Sequence, residues 1–133
     1  MGMSNTSPEK GAMFVPITQQ PPNLPAGYTM QGWNHQYNLA LNIFIQTTIL
    51  TISEQTTTTT ANTGYIRSSL ILNNITYTPL NLDDFIKINI TGIENGKASG
   101  TFSAMMHEFT GSNTGGNRME ITNGYFENVA ISN

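Results

Sequence analysis

The chain has 133 residues, of which only 10% are charged, and its net charge of -3 comes from 5 basic against 8 acidic side chains. So few cations leave no basic patch for a phosphate backbone, which argues against nucleic acid as a partner. Without cysteine there is no disulfide framework, no thiolate nucleophile and no Cys-based zinc site. The polarity comes mainly from 19 Thr and 16 Asn, in a chain long enough for one domain.

The N-terminal region divides into a tail and an arm. Residues 1–11 carry no apolar leader segment and predict a flexible tail. Residues 12–27 predict an extended arm, a short apolar segment followed by a proline-rich connection. Pro16 cannot donate to a ladder, so the segment is either an ordinary edge strand or an arm that pairs with a neighbouring subunit. The candidate residues for such an arm are Met13, Phe14, Val15 and Ile17.

A loop predicted after the next short strand contains the single tryptophan of the chain. An indole flanked by amide and imidazole groups suits a sugar ring, because it offers a face for stacking and planar hydrogen-bonding groups. The same tryptophan could contact another protein chain or simply anchor the loop, and these alternatives stay open. The candidate residues for partner binding are Trp33, Asn34, His35 and Tyr37.

Residues 37–45 alternate apolar and polar side chains, and their β-branched residues and asparagines favour a strand over a helix. A change of parity near Gln46 and Thr47 predicts either a hairpin turn or a bulge. The run of five threonines from Thr56 to Thr60 is expected in or beside a solvated hairpin loop.

Residues 85–131 hold three consecutive strand patterns. Ile86, Ile88 and Ile90 alternate with polar residues, which predicts one buried face. The pairs Asn95-Gly96 and Asn123-Gly124 tolerate positive φ at both central positions, so each predicts a type I′ hairpin turn.

These patterns together predict an all-β fold. About nine to ten strands, with no convincing helix, indicate a single antiparallel β-sandwich or barrel over residues 12–133, with the extended N-terminal arm at its start. No apolar run reaches the 18 or so residues that cross a bilayer, so membrane insertion is not expected.

The C-terminal half resembles small surface-exposed domains of Bacteroidetes-type bacteria, often lipoproteins of unknown function. The resemblance rests on S-G-T-F-S at residues 99–103 and on I-T-N-G-Y-F-E-N-V at residues 121–129, and it covers roughly residues 65–131. It implies an all-β domain at the cell surface or secreted, and it implies nothing about activity. Lipid anchoring does not carry over, because the chain has no cysteine.

Catalytic and metal chemistry find little support in the sequence. His35 and His107 are the only histidines, and no G-x-S-x-G motif marks a nucleophile. His107 and Glu108 are expected to be solvated at the end of a strand. Asn81, Asp83, Asp84 and Glu94 offer oxygen ligands of the kind that Ca²⁺ takes, but the spacing of an EF-hand loop is absent. A turn capped by an Asn or Asp side chain is favoured instead. We therefore expect no enzyme, no cofactor and no metal.

The sequence thus favours a non-catalytic cell-surface or secreted domain that binds a protein or glycan through its surface. The alternative is a structural subunit of a filament or virion-like assembly, in which the N-terminal arm mediates self-association.

Overall fold

A computed structural model describes residues 2–3, 10–17, 27–45, 47, 49–58, 68–81, 83–110 and 116–132. Over these residues the fold is all-β, as predicted, with ten strands and a single 3-10 turn, η1. The elements are β1 (Gly2–Met3), β2 (Lys10–Ile17), β3 (Gly27–Asn34), η1 (His35–Tyr37), β4 (Leu39–Ile45), β5 (Ser53–Thr58), β6 (Ser69–Leu72), β7 (Ile75–Thr78), β8 (Phe85–Glu94), β9 (Lys97–Glu108) and β10 (Arg118–Ile131).

The strands form one sheet that closes on itself. The ring runs β10, β2, β3, β4, β6, β7, β9 and back to β10. The strand β8 also pairs with β9, and β5 pairs with β8 at the end of the strand order. This closure is sandwich- or barrel-like, in line with the predicted architecture. The sheet is mixed and not wholly antiparallel, because β1 and β2 each run parallel to β10 where they meet it.

The buried face of this sheet, including that of β8, forms one hydrophobic core, and strand alternation selects its members. Ile86, Ile88 and Ile90 are buried, as their period of two predicts. On the neighbouring β9, the alternate residues from Ala98 to Met106 point the same way. The other core residues with fully buried side chains include Phe14, Met30, Leu41, Ile43, Ile45, Leu70, Phe126 and Val129.

The N-terminal arm lies in the chain's own sheet. Phe14 stands opposite Met30 on β3, and both are fully buried. The Phe14 ring also meets Phe126 of β10 edge-on, with ring centroids 5.6 Å apart. Only Met13 and Phe14 pair with β10, so Pro16 lies beyond that short ladder. The absence of an N–H on Pro16 therefore removes no hydrogen bond between β2 and β10.

The predicted tail, residues 1–11, is described in two pieces. Gly2–Met3 forms β1, which pairs with Tyr125 and Phe126 of β10. The strand β2 begins at Lys10, shortly before the predicted start of the arm. Residues 4–9 lie outside the described part of the chain.

Two hairpin turns are built from residues with positive φ. Asn95 (φ 53°) and Gly96 (φ 73°) join β8 to β9, which confirms the predicted type I′ turn. Asn73 (φ 52°) and Asn74 (φ 67°) join β6 to β7 in the same way. Sequence reasoning missed this second turn, although paired asparagines are among the residues that tolerate this conformation.

The prediction of a hairpin turn at Asn123-Gly124 is wrong, because both residues lie inside β10. Ile121 pairs with Ala104 and Gly124 pairs with Phe102, so two residues of β10 face the single Ser103 of β9. This is a β-bulge, and Asn123 adopts a φ of 55° within it. Asn123 therefore has a positive φ because it lies in a bulge, and the chain continues along β10 without reversing direction.

The change of parity after β4 is neither a hairpin turn nor a bulge. The strand β4 ends at Ile45 and pairs with β3 and β6, whereas β5 pairs with β8. The chain therefore crosses to another part of the sheet between them. Thr56, Thr57 and Thr58 belong to β5, and Thr59 and Thr60 lie outside the described residues.

Candidate functional site

Three connections meet at one end of the ring. They are η1 between β3 and β4, the Asn73-Asn74 turn between β6 and β7, and the segment that follows β9. The backbone N–H of Asn73 donates to the carbonyl of Asn38 at 3.1 Å, and that of Phe109 donates to the carbonyl of Thr76 at 2.7 Å. These bonds place Tyr37, Ile75 and Phe109, which are far apart in sequence, at the same end of the molecule. We call these three residues the end surface.

The end surface is apolar and open to solvent. Tyr37 is 58% exposed, Ile75 38% and Phe109 46%. Single exposed apolar residues are common on proteins, but a group that includes two aromatic rings is a feature of interaction sites.

The turn η1 has a defined local structure that holds Tyr37 outward. The side chain of Asn34 caps the turn, because its Oδ1 accepts a hydrogen bond from the N–H of Gln36 at 3.1 Å. At the other end, Asn38 adopts φ 49°, and its N–H donates to the carbonyl of His35. His35 and Tyr37 are left exposed between these caps.

Trp33 lies within β3 and not in the loop that the sequence predicts. It pairs with Gly11 of β2 and Ala40 of β4, and it is half-buried. Since it is three residues from the inward-facing Met30, its side chain lies on the outer face of the sheet. The four candidate partner-binding residues are adjacent, but only His35 and Tyr37 present exposed side chains, while Asn34 is engaged in capping.

The residues of the candidate arm divide between the two faces of β2. Phe14 points into the core, as described above. Met13, Val15 and Ile17 alternate with it and are half-buried on the outer face. All four lie in the strand that pairs with β3 along its whole length.

Asp84 and His107 form a polar contact that connects two elements. Nδ1 of His107 lies 2.8 Å from Oδ2 of Asp84, and the side chains are 17% and 2% exposed. The expectation that His107 is solvated is therefore wrong. The same Oδ2 accepts from the N–H groups of Leu80 and Asn81, each at 3.0 Å, so an Asp side chain caps this turn, as predicted. It is not an Asx turn, because the donors precede Asp84 in the chain.

This pair does not by itself make a catalytic site. Among the described residues, no hydroxyl group is hydrogen-bonded to His107. The nearby buried hydroxyls are used structurally: Thr78 Oγ1 donates to the carbonyl of Ser68, and Ser68 Oγ accepts from the N–H of Phe44. Within the part of the chain that is described, no three His, Cys, Asp or Glu side chains are grouped as a metal site.

A groove of about 270 Å³ lies on the outer face of β5, β8, β9 and β10. Phe102 of β9 and Gly124 of β10 are among the residues that line it. We call it the side groove, and its walls carry Glu54, Lys87, Asn89, Thr101, Ser103 and Asn123.

Sequence reasoning found part of the end surface and missed the rest. Tyr37 was identified beside the tryptophan, but Ile75 and Phe109 carry no local signal, because only the strand pairing brings them to Tyr37. The side groove was missed for a related reason: it depends on the bulge at Asn123, a residue that the sequence places in a turn.

No family model matches the chain, and comparisons with curated proteins and with solved structures found no match. The resemblance to Bacteroidetes-type surface domains therefore stays a prediction. Among the described residues, no helix has the length and apolar character to cross a membrane.

Proposed function

We propose that the protein is a non-catalytic β-domain, at the cell surface or secreted, that binds a protein partner through the end surface. The observation that carries this proposal is the gathering of Tyr37, Ile75 and Phe109, all exposed, from three separate connections to one end of the ring. Loops at one end of a rigid β scaffold are a common location for binding residues.

The chemistry of the end surface favours a protein over a glycan. Burying apolar surface contributes about 25 cal/mol per Å², and exposed aromatic side chains are the usual anchors of protein interfaces. A sugar would need polar groups aimed at its hydroxyls, but the side chain of Asn34 is already bonded to the N–H of Gln36. His35 remains as a polar group at the rim of the surface.

A photo-crosslinking amino acid at position 109 tests this proposal in the full chain. The matched control carries the same amino acid at position 97, which is exposed at the opposite end of β9. Both proteins are incubated with surface proteins of the organism that encodes the chain. We expect one discrete adduct at position 109 that is absent at position 97.

The captured protein is then purified, and its affinity for the chain is measured. Tyr37→Ser and Phe109→Ser should each weaken binding about tenfold or more, as truncated interface anchors do. Tyr125→Ser, which removes an exposed aromatic residue elsewhere, serves as the control and should leave the affinity unchanged. Identical adducts at both positions, or an affinity that neither end-surface variant changes, would overturn the proposal.

The alternative function, a subunit of an assembly, rests on one feature of the fold. The arm strand β2 closes the ring against β10 through only two residue pairs. Since Phe14 is already buried in its own chain, assembly through the arm would require β2 to be exchanged between copies. The solution mass of the chain distinguishes the two functions.

A further inference from the structure

We infer that the side groove is a separate binding site for a neutral saccharide. It lies along the side of the sheet and not at the end surface, so this inference stands or fails independently of the proposed protein partner. Its volume, about 270 Å³, is close to the lower limit of about 300 Å³ that small-molecule sites usually have.

The concave shape of the groove follows from the bulge in β10. Thr122 and Asn123 both face Ser103, so the regular ladder is interrupted there. The positive φ of Asn123 turns this residue out of the ordinary alternation, and its side chain borders the groove. A Cβ at Gly124 would lie 2.6 Å from the buried ring of Phe102, so glycine lets β10 approach β9 closely beside the groove. Bulges of this kind often lie beside functional sites.

The walls of the groove present hydrogen-bonding groups that the described part of the chain does not use. The side chains of Asn89, Thr101, Ser103 and Asn123 make no hydrogen bond to any described residue. Two of them are primary amides, which donate and accept, and two are hydroxyls. Adjacent hydroxyl groups of a sugar both donate and accept, so this set of groups matches them.

The charges in the groove balance each other. Lys87 Nζ lies 4.0 Å from Glu54 Oε1, and both side chains are largely solvent-exposed. The pair contributes one positive and one negative charge, which gives no preference for an anion or a cation. An uncharged ligand with many hydroxyl groups therefore fits better than a phosphate or a carboxylate.

Tyr125 supplies an aromatic surface next to the groove. It is 52% exposed, and it pairs with Thr101, so the two side chains lie on the same face of the sheet. An exposed ring beside amide and hydroxyl groups is the arrangement in which a pyranose stacks its apolar face and bonds its hydroxyls.

Nuclear magnetic resonance titration of the full chain tests the inference. The probes are maltose, cellobiose, lactose and N,N′-diacetylchitobiose, each at up to about 20 mM, which detects millimolar dissociation constants. At least one probe should shift the backbone amide signals of residues 87–89, 101–103 and 123–125. If none of the four shifts these signals, or if the shifts fall elsewhere, the inference is wrong.

Two variants and a control locate the binding. Asn89→Ala and Tyr125→Ser should each raise the Kd for the active probe about tenfold, while their spectra show that the fold is retained. Tyr37→Ser, in the end surface, should leave the Kd unchanged. A Kd that neither groove variant alters would also overturn the inference, whatever the outcome for the protein partner.

Discussion

The carboxylate of Asp84 joins the β7–β8 connection to the end of β9 through His107. The strands β7 and β8 lie one after the other along the same edge of β9: Thr78 pairs with His107, and Phe85 pairs with Met105. Asp84 sits between them, and its Oδ2 accepts from His107 Nδ1 and from two backbone N–H groups. One buried carboxylate therefore holds the chain at the point where it passes from one strand to the next.

Replacing this carboxylate should destabilise the fold. Asp84→Ala leaves the N–H groups of Leu80 and Asn81 without this acceptor, and we expect a loss of about 1–3 kcal/mol in the free energy of unfolding. Urea denaturation measures it. The control is Asp83→Ala, whose exposed side chain should contribute less than about 0.5 kcal/mol. Equal stability of the two variants would show that the Asp84 contacts carry no net energy.

At the type I′ turn between β8 and β9, the effect of backbone strain on stability can be measured apart from the effect of packing. A Cβ at Gly96 would meet nothing within 4 Å, yet φ there is 73°, so Gly96→Ala should cost about 1–2 kcal/mol through conformation alone. A Cβ at Gly92 also meets nothing within 4 Å, and no positive φ is required there. Gly92→Ala should therefore be neutral or stabilising by up to about 1 kcal/mol. Denaturation curves that move in the same direction for both variants would contradict this account of the turn.

The contact between Gly124 and Phe102 predicts a coupled pair of substitutions. Gly124→Ala forces a methyl group against the Phe102 ring and should cost about 1–3 kcal/mol. Phe102→Leu removes the ring atoms that clash, so the double variant should lose less stability than the sum of the single ones. Gly100→Ala provides the comparison, because its Cβ would clash with the backbone carbonyl of Asn89, which Phe102→Leu cannot relieve. If the double variant lost as much stability as Gly124→Ala and Phe102→Leu together, a clash with Phe102 would not explain why position 124 of the bulged strand is glycine.

The position of β2 predicts the solution behaviour of the chain. Light scattering at several concentrations should give 14.5 kDa, the mass of one chain, if the strand stays in its own sheet. Phe14→Ala should lower the free energy of unfolding by about 3–5 kcal/mol without changing this mass. Val15→Ala, on the outer face of the same strand, is the control and should cost much less. Masses at multiples of one chain that fall to one chain on deletion of residues 1–20 would establish the assembly function instead.

Local patterns predicted much of this fold correctly. The alternation of Ile86, Ile88 and Ile90 identified a buried strand face, because period two depends only on the chain itself. Asn95-Gly96 likewise identified its turn, since the two residues need no distant partner to adopt positive φ. The same local signal at Asn123-Gly124 led to a wrong prediction. Whether an asparagine with positive φ turns the chain or forms a bulge depends on the strand opposite, here Phe102 to Ala104 of β9.

The sequence by itself determined the fold class, the Asn95-Gly96 hairpin and the turn capped by Asp84, because these follow from side-chain alternation and from interactions between neighbouring residues. The tertiary structure decided which strands close the ring, that β2 runs parallel to β10, and that β5 pairs with β8 and not with β4. It also decided the candidate sites, since the end surface and the side groove combine residues from different strands and connections. Such groups are created by pairings between distant segments, and no pattern within one segment encodes which distant segment it will meet.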